Sequence, residues 1–178
     1  MKKLLINSIA GLAMLLSHSA FASDFEIWYV KAISPNGELI LPIKAFDENG
    51  KIYNIKALFI EKNHILDIKV LDENNNVKHA VKAIRTSDGK HHDINAVTAS
   101  GDKLDIKAIT SDGEKLDVVA IKGNGNTLDI KVLMPNGEYW AIKAISPRGN
   151  VFDVKALDLD KGSEIIHVKA VQQIAGVR

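Results

Sequence analysis

The chain has 178 residues, with 23 Lys and Arg against 22 Asp and Glu, and it contains no cysteine. This balance of charge leaves no general excess of basic residues, which argues against a nucleic-acid partner. Without disulfides, the fold must be held together by burial and hydrogen bonding alone.

The first 22 residues have the features of a secretory signal peptide. Lys2 and Lys3 precede a mostly apolar segment over residues 4–16, and residues 20–22 form an A-x-A cleavage site. We therefore expect export, cleavage after Ala22, and a periplasmic or extracellular mature protein. A retained N-terminal anchor is the alternative. The apolar segment is short for a membrane span, so we do not expect membrane attachment after cleavage.

The rest of the chain is an internal repeat with a period of mostly 12–13 residues. Lys occupies ten of the twelve central positions, which are Lys31, Lys44, Lys56, Lys69, Lys82, Asn95, Lys107, Val119, Lys131, Lys143, Lys155 and Lys169. Val or Ile always precedes the centre, Ala or Val always follows it, and a large apolar residue stands three positions before it in ten units. This alternation predicts one short strand per unit, with a buried apolar face and a solvated Asp–Lys face.

Glycine-containing turns separate the predicted strands. Examples are Pro35-Asn36-Gly37, Ser111-Asp112-Gly113 and Pro147-Arg148-Gly149, which favour a type I turn followed by a left-handed Gly. Neighbouring strands are therefore expected to form antiparallel hairpins. Extending one register rule through the second half predicts four opposed charge pairs, which are Lys107–Asp117, Asp117–Lys131, Asp129–Lys143 and Lys143–Asp153.

These patterns predict a single all-β domain over residues 23–178. About twelve short antiparallel strands would follow one another in an up-and-down meander that forms a closed or flattened barrel or sandwich, because closure hides the sheet edges. A curled single-layer sheet and a β-solenoid are the alternatives. The solenoid is less favoured because it would stack Lys on Lys.

The sequence contains no distinctive cluster of catalytic or metal-binding residues. The recurring Asp residues are interchangeable and are expected to form exposed ion pairs. His79 and His92 occupy apolar positions of their units and are interpreted as partly buried, hydrogen-bonded residues rather than zinc ligands. Turn formation explains the oxygen-rich segments 72–76 and 158–162 better than calcium binding does. We therefore predict no catalytic residue, no metal site and no cofactor.

The functional hypothesis is a secreted or periplasmic, non-enzymatic β-repeat protein that acts as a binding, surface-interaction or structural module. Its partner would be a protein, a glycan or a small apolar ligand. Candidate interaction anchors are the aromatic residues Trp28, Tyr29, Tyr139 and Trp140, because aromatic side chains are favoured at interfaces, although packing in the core or at an edge explains them better.

Two other functions fit parts of the pattern. A closed barrel with a cavity would suit a carrier of a small apolar ligand. An outer-membrane β-barrel would also show apolar and charged alternation, but this chain has short units and few aromatic residues.

Overall fold

The structure is a computed structural model that describes residues 25–60, 64–87, 91–123, 125–158 and 163–172, excluding the side chains of Phe25, Val77 and Lys78. The predicted signal peptide lies outside these residues. The described part of the chain contains no helix that is long and apolar enough to cross a membrane.

Each repeat unit forms one β-strand, and no other regular element is present in the described residues. The strands are β1 (Phe25–Ile33), β2 (Ile40–Phe46), β3 (Ile52–Ile60), β4 (Ile65–Leu71), β5 (Val77–Arg85), β6 (His92–Val97), β7 (Lys103–Ile109), β8 (Lys115–Lys122), β9 (Thr127–Leu133), β10 (Tyr139–Ile145), β11 (Val151–Leu157) and β12 (Ile165–Gln172). Burial alternates along them as the repeat predicts, because successive side chains point to opposite faces of a strand.

The hairpin turns have the predicted chemistry. In the first, the amide of Gly37 donates to the carbonyl of Ser34 at 2.9 Å, and the φ angle of Gly37 is +78°. The same arrangement recurs at Gly113, with a φ angle of +89°. In the turn between β4 and β5, Asn75 takes the left-handed position with a φ angle of 60°. Asn tolerates this conformation better than other side chains.

Every strand hydrogen-bonds to three others rather than two. On one edge of β7, residues 103–105 pair with β6 and residues 107–109 pair with β8. On its other edge, residues 105–108 pair with β2. All the pairings are antiparallel, and each strand divides one of its edges between two partners in this way.

The three-way pairing sorts the strands into four triads in which all three strands pair with one another. The first triad is β1, β2 and β3; the second is β4, β5 and β12; the third is β6, β7 and β8; the fourth is β9, β10 and β11. Six link pairs connect the triads, one for each combination of two triads, and they are β1–β10, β2–β7, β3–β4, β5–β6, β8–β9 and β11–β12. The triads are thus connected as the four corners of a tetrahedron are.

This topology confirms an all-β fold of twelve antiparallel strands in a meander. The strands close on themselves around a filled interior, as expected for a flattened barrel or sandwich. The hydrogen-bonded ring is not that of an even barrel, because each strand has three neighbours. None of the twelve described strands is left as an open edge available to another chain.

The interior is built from the residues that precede the repeat centres. Twelve Val and Ile side chains, one from each strand, meet around a void of about 10 Å³, and they are Val30, Ile43, Ile55, Ile68, Val81, Ile94, Ile106, Val118, Ile130, Ile142, Val154 and Val168. Alanines pack around them with no solvent exposure, among them Ala45, Ala108 and Ala144. A void of this size is at the lower limit for a single water molecule.

Two of the four predicted charge pairs are present. Lys107 faces Asp117, and Lys143 faces Asp153. The predicted pairs Asp117–Lys131 and Asp129–Lys143 are wrong, because Lys131 faces Val119 across a link pair and Asp129 faces Lys155 within a triad. The β8–β9 pairing has a different register because it connects two triads. The β9–β10 hairpin keeps its predicted register, but its pairing stops at Lys131 and Ala141, and Asp129 pairs with β11 instead.

Candidate functional site

The outer surface of each triad follows a cyclic rule. The central residue of one strand faces the residue two positions before the centre of the next strand, which we call the partner position. Lys107 thus faces Asp117, with 2.7 Å between Nζ and Oδ1. Lys155 and Lys169 form the same kind of ion pair with Asp129 and Asp67, respectively. Within the described residues, six of the ten repeated lysines have a carboxylate oxygen within 4.0 Å of Nζ.

The first triad is the exception, because its three partner positions contain no carboxylate. Lys31 faces Pro42, Lys44 faces Asn54, and Lys56 faces Tyr29. We call the surface formed by these six residues the basic face. It carries three ammonium groups with no acid in their partner positions.

Neutral side chains hold two of these ammonium groups. Nζ of Lys44 donates to Oδ1 of Asn54 at 2.7 Å. Nζ of Lys56 lies 4.2 Å from the centre of the Tyr29 ring, which is close enough for a cation–π interaction. Pro42 offers Lys31 no polar side-chain atom. The three lysines are half-buried, whereas Tyr29 is 49% exposed.

The register brings the three lysines close together. Because Lys31 faces Pro42, Lys44 is its diagonal neighbour across the strand pair, and the same relationship holds for Lys44 with Lys56 and for Lys56 with Lys31. Diagonal neighbours have Cα atoms about 7–8 Å apart, within reach of long side chains. The three side chains therefore surround the threefold axis of the triad.

The electrostatics of the basic face agree with this crowding. Partial burial and the nearby charge of Lys44 lower the pKa of Lys31 below its usual value. Burial, followed by the charges of Lys31 and Lys44, lowers the pKa of Lys56 in the same direction. A bound anion would relieve both effects, because it would compensate the desolvated positive charges.

The third triad has the opposite charge. Its partner positions are all Asp (Asp93, Asp105 and Asp117), whereas two of its centres are the uncharged Asn95 and Val119. Lys107 is the remaining centre. The basic and acidic triads are connected by the link pair β2–β7.

The second and fourth triads have mixed partner positions. In the fourth, Ala141 faces Lys131, whereas Asp153 and Asp129 face the other two lysines. In the second, Nζ of Lys82 lies 2.7 Å from Nδ1 of His167. Burial and then the charge of Lys82 lower the pKa of His167.

The predicted aromatic anchors divide into two groups. Trp28 and Trp140 are 3% and 8% exposed and belong to the core, where Trp28 packs against Phe59 and Phe152. Their strand positions point inward, so this location does not favour a contact role for either tryptophan. Tyr29 follows Trp28 and Tyr139 precedes Trp140, so both tyrosines point outward, and they are about half exposed. Only Tyr29 belongs to the basic face.

Of the histidines at apolar positions, His92 is buried and His79 is half-buried, and neither is hydrogen-bonded at every nitrogen. Within the described residues, Nδ1 of His79 and Nε2 of His92 have no hydrogen-bond partner, contrary to expectation. Burial and then the charge of Arg85 lower the pKa of His92. The part of the chain that the structure describes contains no group of three or more His, Asp or Glu side chains placed to hold a metal ion.

The oxygen-rich segment 72–76 forms a turn. The Oδ1 atom of Asp72 accepts hydrogen bonds from the amides of Asn74 and Asn76, at 3.0 and 2.9 Å. The carboxylate is thus used to shape the backbone. Most of the other segment, residues 159–162, lies outside the described residues.

The basic face was not predicted from the sequence, although its signal is present there. The residue two positions before the centre is Asp in six units, but it is Tyr29, Pro42 and Asn54 in the first three. These three replacements of Asp lie on one surface only because their strands form a triad. Sequence spacing alone treats them as separate irregularities.

The fold and this surface together define an all-β repeat protein with one basic corner. The chain belongs to the Family of unknown function (DUF7486), whose model matches residues 25–177. No curated protein and no solved structure matches the chain.

Proposed function

We propose that this protein is an exported, non-enzymatic binding module that contacts an anionic partner through the basic face. The observation that carries the proposal is the absence of a carboxylate from all three partner positions of the first triad. Export is supported by the signal-peptide pattern of the sequence in residues 1–22.

The basic face has the properties that an anion-binding surface requires. Two of its lysines are held by a neutral amide and an aromatic ring, and the third faces Pro42, so their charge is not cancelled. Their partial burial strengthens electrostatic attraction to a ligand, because the local dielectric is lower than in bulk water. The rigid strand pairing fixes their positions before the ligand arrives, which lowers the entropic cost of binding.

The interior does not favour the carrier of a small apolar ligand. The central void of about 10 Å³ is much smaller than the pockets that hold small molecules. A binding site on the outer surface is therefore favoured over one in the interior.

The test compares two substitutions that add the same charge at the same repeat position. Asn54→Asp places a carboxylate beside Lys44 on the basic face, and Ala141→Asp places one beside Lys131 in the fourth triad. Retention of each variant would be measured on a phosphorylated polysaccharide matrix and on a neutral one, across a series of salt concentrations. We expect Asn54→Asp to elute at clearly lower salt than the unmodified protein, and Ala141→Asp to elute nearly with it.

Equal shifts for the two variants would show that net charge alone controls retention. Equal retention of the unmodified protein on the two matrices would overturn the proposal directly. Fractionation of cells that express the full chain would test the export part, because a cytoplasmic, uncleaved product contradicts it.

A further inference from the structure

The basic face differs from an ordinary patch of lysines because its three charges are arranged around one axis. Each lysine belongs to a different strand, and each is the diagonal neighbour of both others. A ligand on that axis can therefore meet all three ammonium groups from equivalent directions. Each ammonium can donate hydrogen bonds, and lysine is a common point charge in phosphate sites.

We propose that the basic face binds the terminal phosphate of a phosphomonoester, with one ammonium group directed to each of its three non-ester oxygens. This inference rests on the proposed function and names its ligand class. Asn54 assists because its Oδ1 atom is already occupied by Lys44, which leaves the donor end of the amide available to the ligand.

The shape and charge of the phosphomonoester select it over carboxylates and phosphodiesters. Its three terminal oxygens are arranged around the P–O ester bond and carry a charge of about −1.5 to −2 at neutral pH. A carboxylate is planar and offers two oxygens, and a phosphodiester offers two with a single charge. Neither offers a separate oxygen to each of the three ammonium groups.

Tyr29 makes the site compatible with a sugar or another ring that carries the phosphate. Its ring is half exposed at the margin of the basic face while it contacts Lys56. An exposed aromatic ring can stack against the apolar face of a ligand that projects from the axis.

The test is a calorimetric titration of the chain, without its predicted signal peptide, with matched probes. The free probes are glucose 6-phosphate and glucuronate, which differ in the anionic group. The surface probes are phosphatidylcholine vesicles that contain either phosphatidic acid, a monoester, or phosphatidylglycerol, a diester. Binding to glucose 6-phosphate alone would identify a free sugar phosphate as the source, and binding to phosphatidic acid alone would identify a lipid headgroup.

We expect at least one monoester probe to bind about tenfold more tightly than its matched control. Asn54→Asp should weaken that binding by about tenfold, whereas Ala141→Asp should leave it unchanged. Binding should also weaken below about pH 6, where the phosphate takes up its second proton.

Equal binding of monoester and control probes would overturn the inference, as would equal losses in the two Asp variants or no binding of either monoester. The proposed function would still stand after any of these results if the protein showed salt-dependent retention on the phosphorylated matrix and Asn54→Asp reduced that retention. Loss of that retention as well would remove both.

Discussion

The ammonium group of Lys56 lies 4.2 Å from the centre of the Tyr29 ring. Tyr29 occupies the partner position opposite Lys56, where β8 has the carboxylate of Asp117 opposite Lys107. The aromatic ring attracts the cation without neutralising it. This contact is the clearest local sign that the first triad is specialised, because it replaces an ion pair of the repeat with an interaction that preserves positive charge.

The crowded lysines of the basic face should be unusually reactive as amines. Burial and neighbouring positive charge lower the pKa of Lys31 and Lys56, so a larger fraction of each is unprotonated at mildly alkaline pH. We expect both to be acylated at least about twofold faster than Lys107, which forms an ion pair with Asp117. Limited labelling followed by peptide mass spectrometry measures the rates, and equal rates for the three residues would contradict the expected crowding.

The central packing should make inward and outward isoleucines very different. Ile106 is 2% exposed and lines the central void, whereas Ile109 in the same strand is half-buried on the outer face. Ile106→Ala should lower the free energy of unfolding by about 3 kcal/mol, because it removes a buried side chain and leaves a cavity. Ile109→Ala should cost about 1 kcal/mol. Urea unfolding gives both values, and similar costs would argue against the filled centre.

The repeated ion pairs should contribute unequally to stability. The side chain of Asp153 is 19% exposed beside Lys143, whereas that of Asp117 is 63% exposed beside Lys107. Asp117→Asn should cost only a few tenths of a kcal/mol because water screens the pair, and Asp153→Asn should cost about 1 kcal/mol. Double-mutant cycles with Lys→Met partners isolate the pair energies. A larger coupling energy for the exposed pair would be inconsistent with the described burial.

The left-handed turn position should accept Asn better than Ala. Gly113 has a φ angle of +89°, and nothing lies within 4 Å of the place where a Cβ atom would be added, so backbone strain alone sets the cost. Gly113→Ala should destabilise the protein by about 1 kcal/mol. Gly113→Asn should cost about half as much, since Asn75 already adopts this conformation in another turn. Equal unfolding midpoints for the two variants would refute the distinction.

Burial of His92 should make stability depend on pH. The pKa of His92 is lowered in the folded state, so the unfolded chain binds a proton at this residue more readily than the folded chain does. The contribution of His92 to the free energy of unfolding is therefore complete above about pH 6.5 and is lost as the pH falls below that value. His92→Leu should reduce this loss and raise stability by about 1 kcal/mol at acidic pH, because Leu104 and Leu116 fill the same position in neighbouring units.

Thermal unfolding across pH 4–8 tests this expectation, with His64→Leu as the control at an exposed histidine. His167 titrates in the same direction, so part of the slope should remain in His92→Leu. An unchanged slope would show that His92 is not the buried titrating group.

The strands, the turns and the inward and outward faces follow from the local sequence. These features depend on residues close together in the chain: the alternation around each centre, and glycines such as Gly113 that adopt a positive φ angle. The same local rule predicted the correct partners for Lys107 and Lys143, because the pairings of their hairpins, β7–β8 and β10–β11, include these residues.

The connections between the triads and the position of the basic face depend on packing between distant parts of the chain. Lys31 and Lys143 are opposed across a link pair although they are 112 positions apart in sequence. Such partners are selected when Val and Ile side chains from all twelve strands pack around one centre, which no turn can specify. That packing brings Tyr29, Pro42 and Asn54 together around three lysines, and it thereby turns scattered departures from a repeat into a surface of one charge.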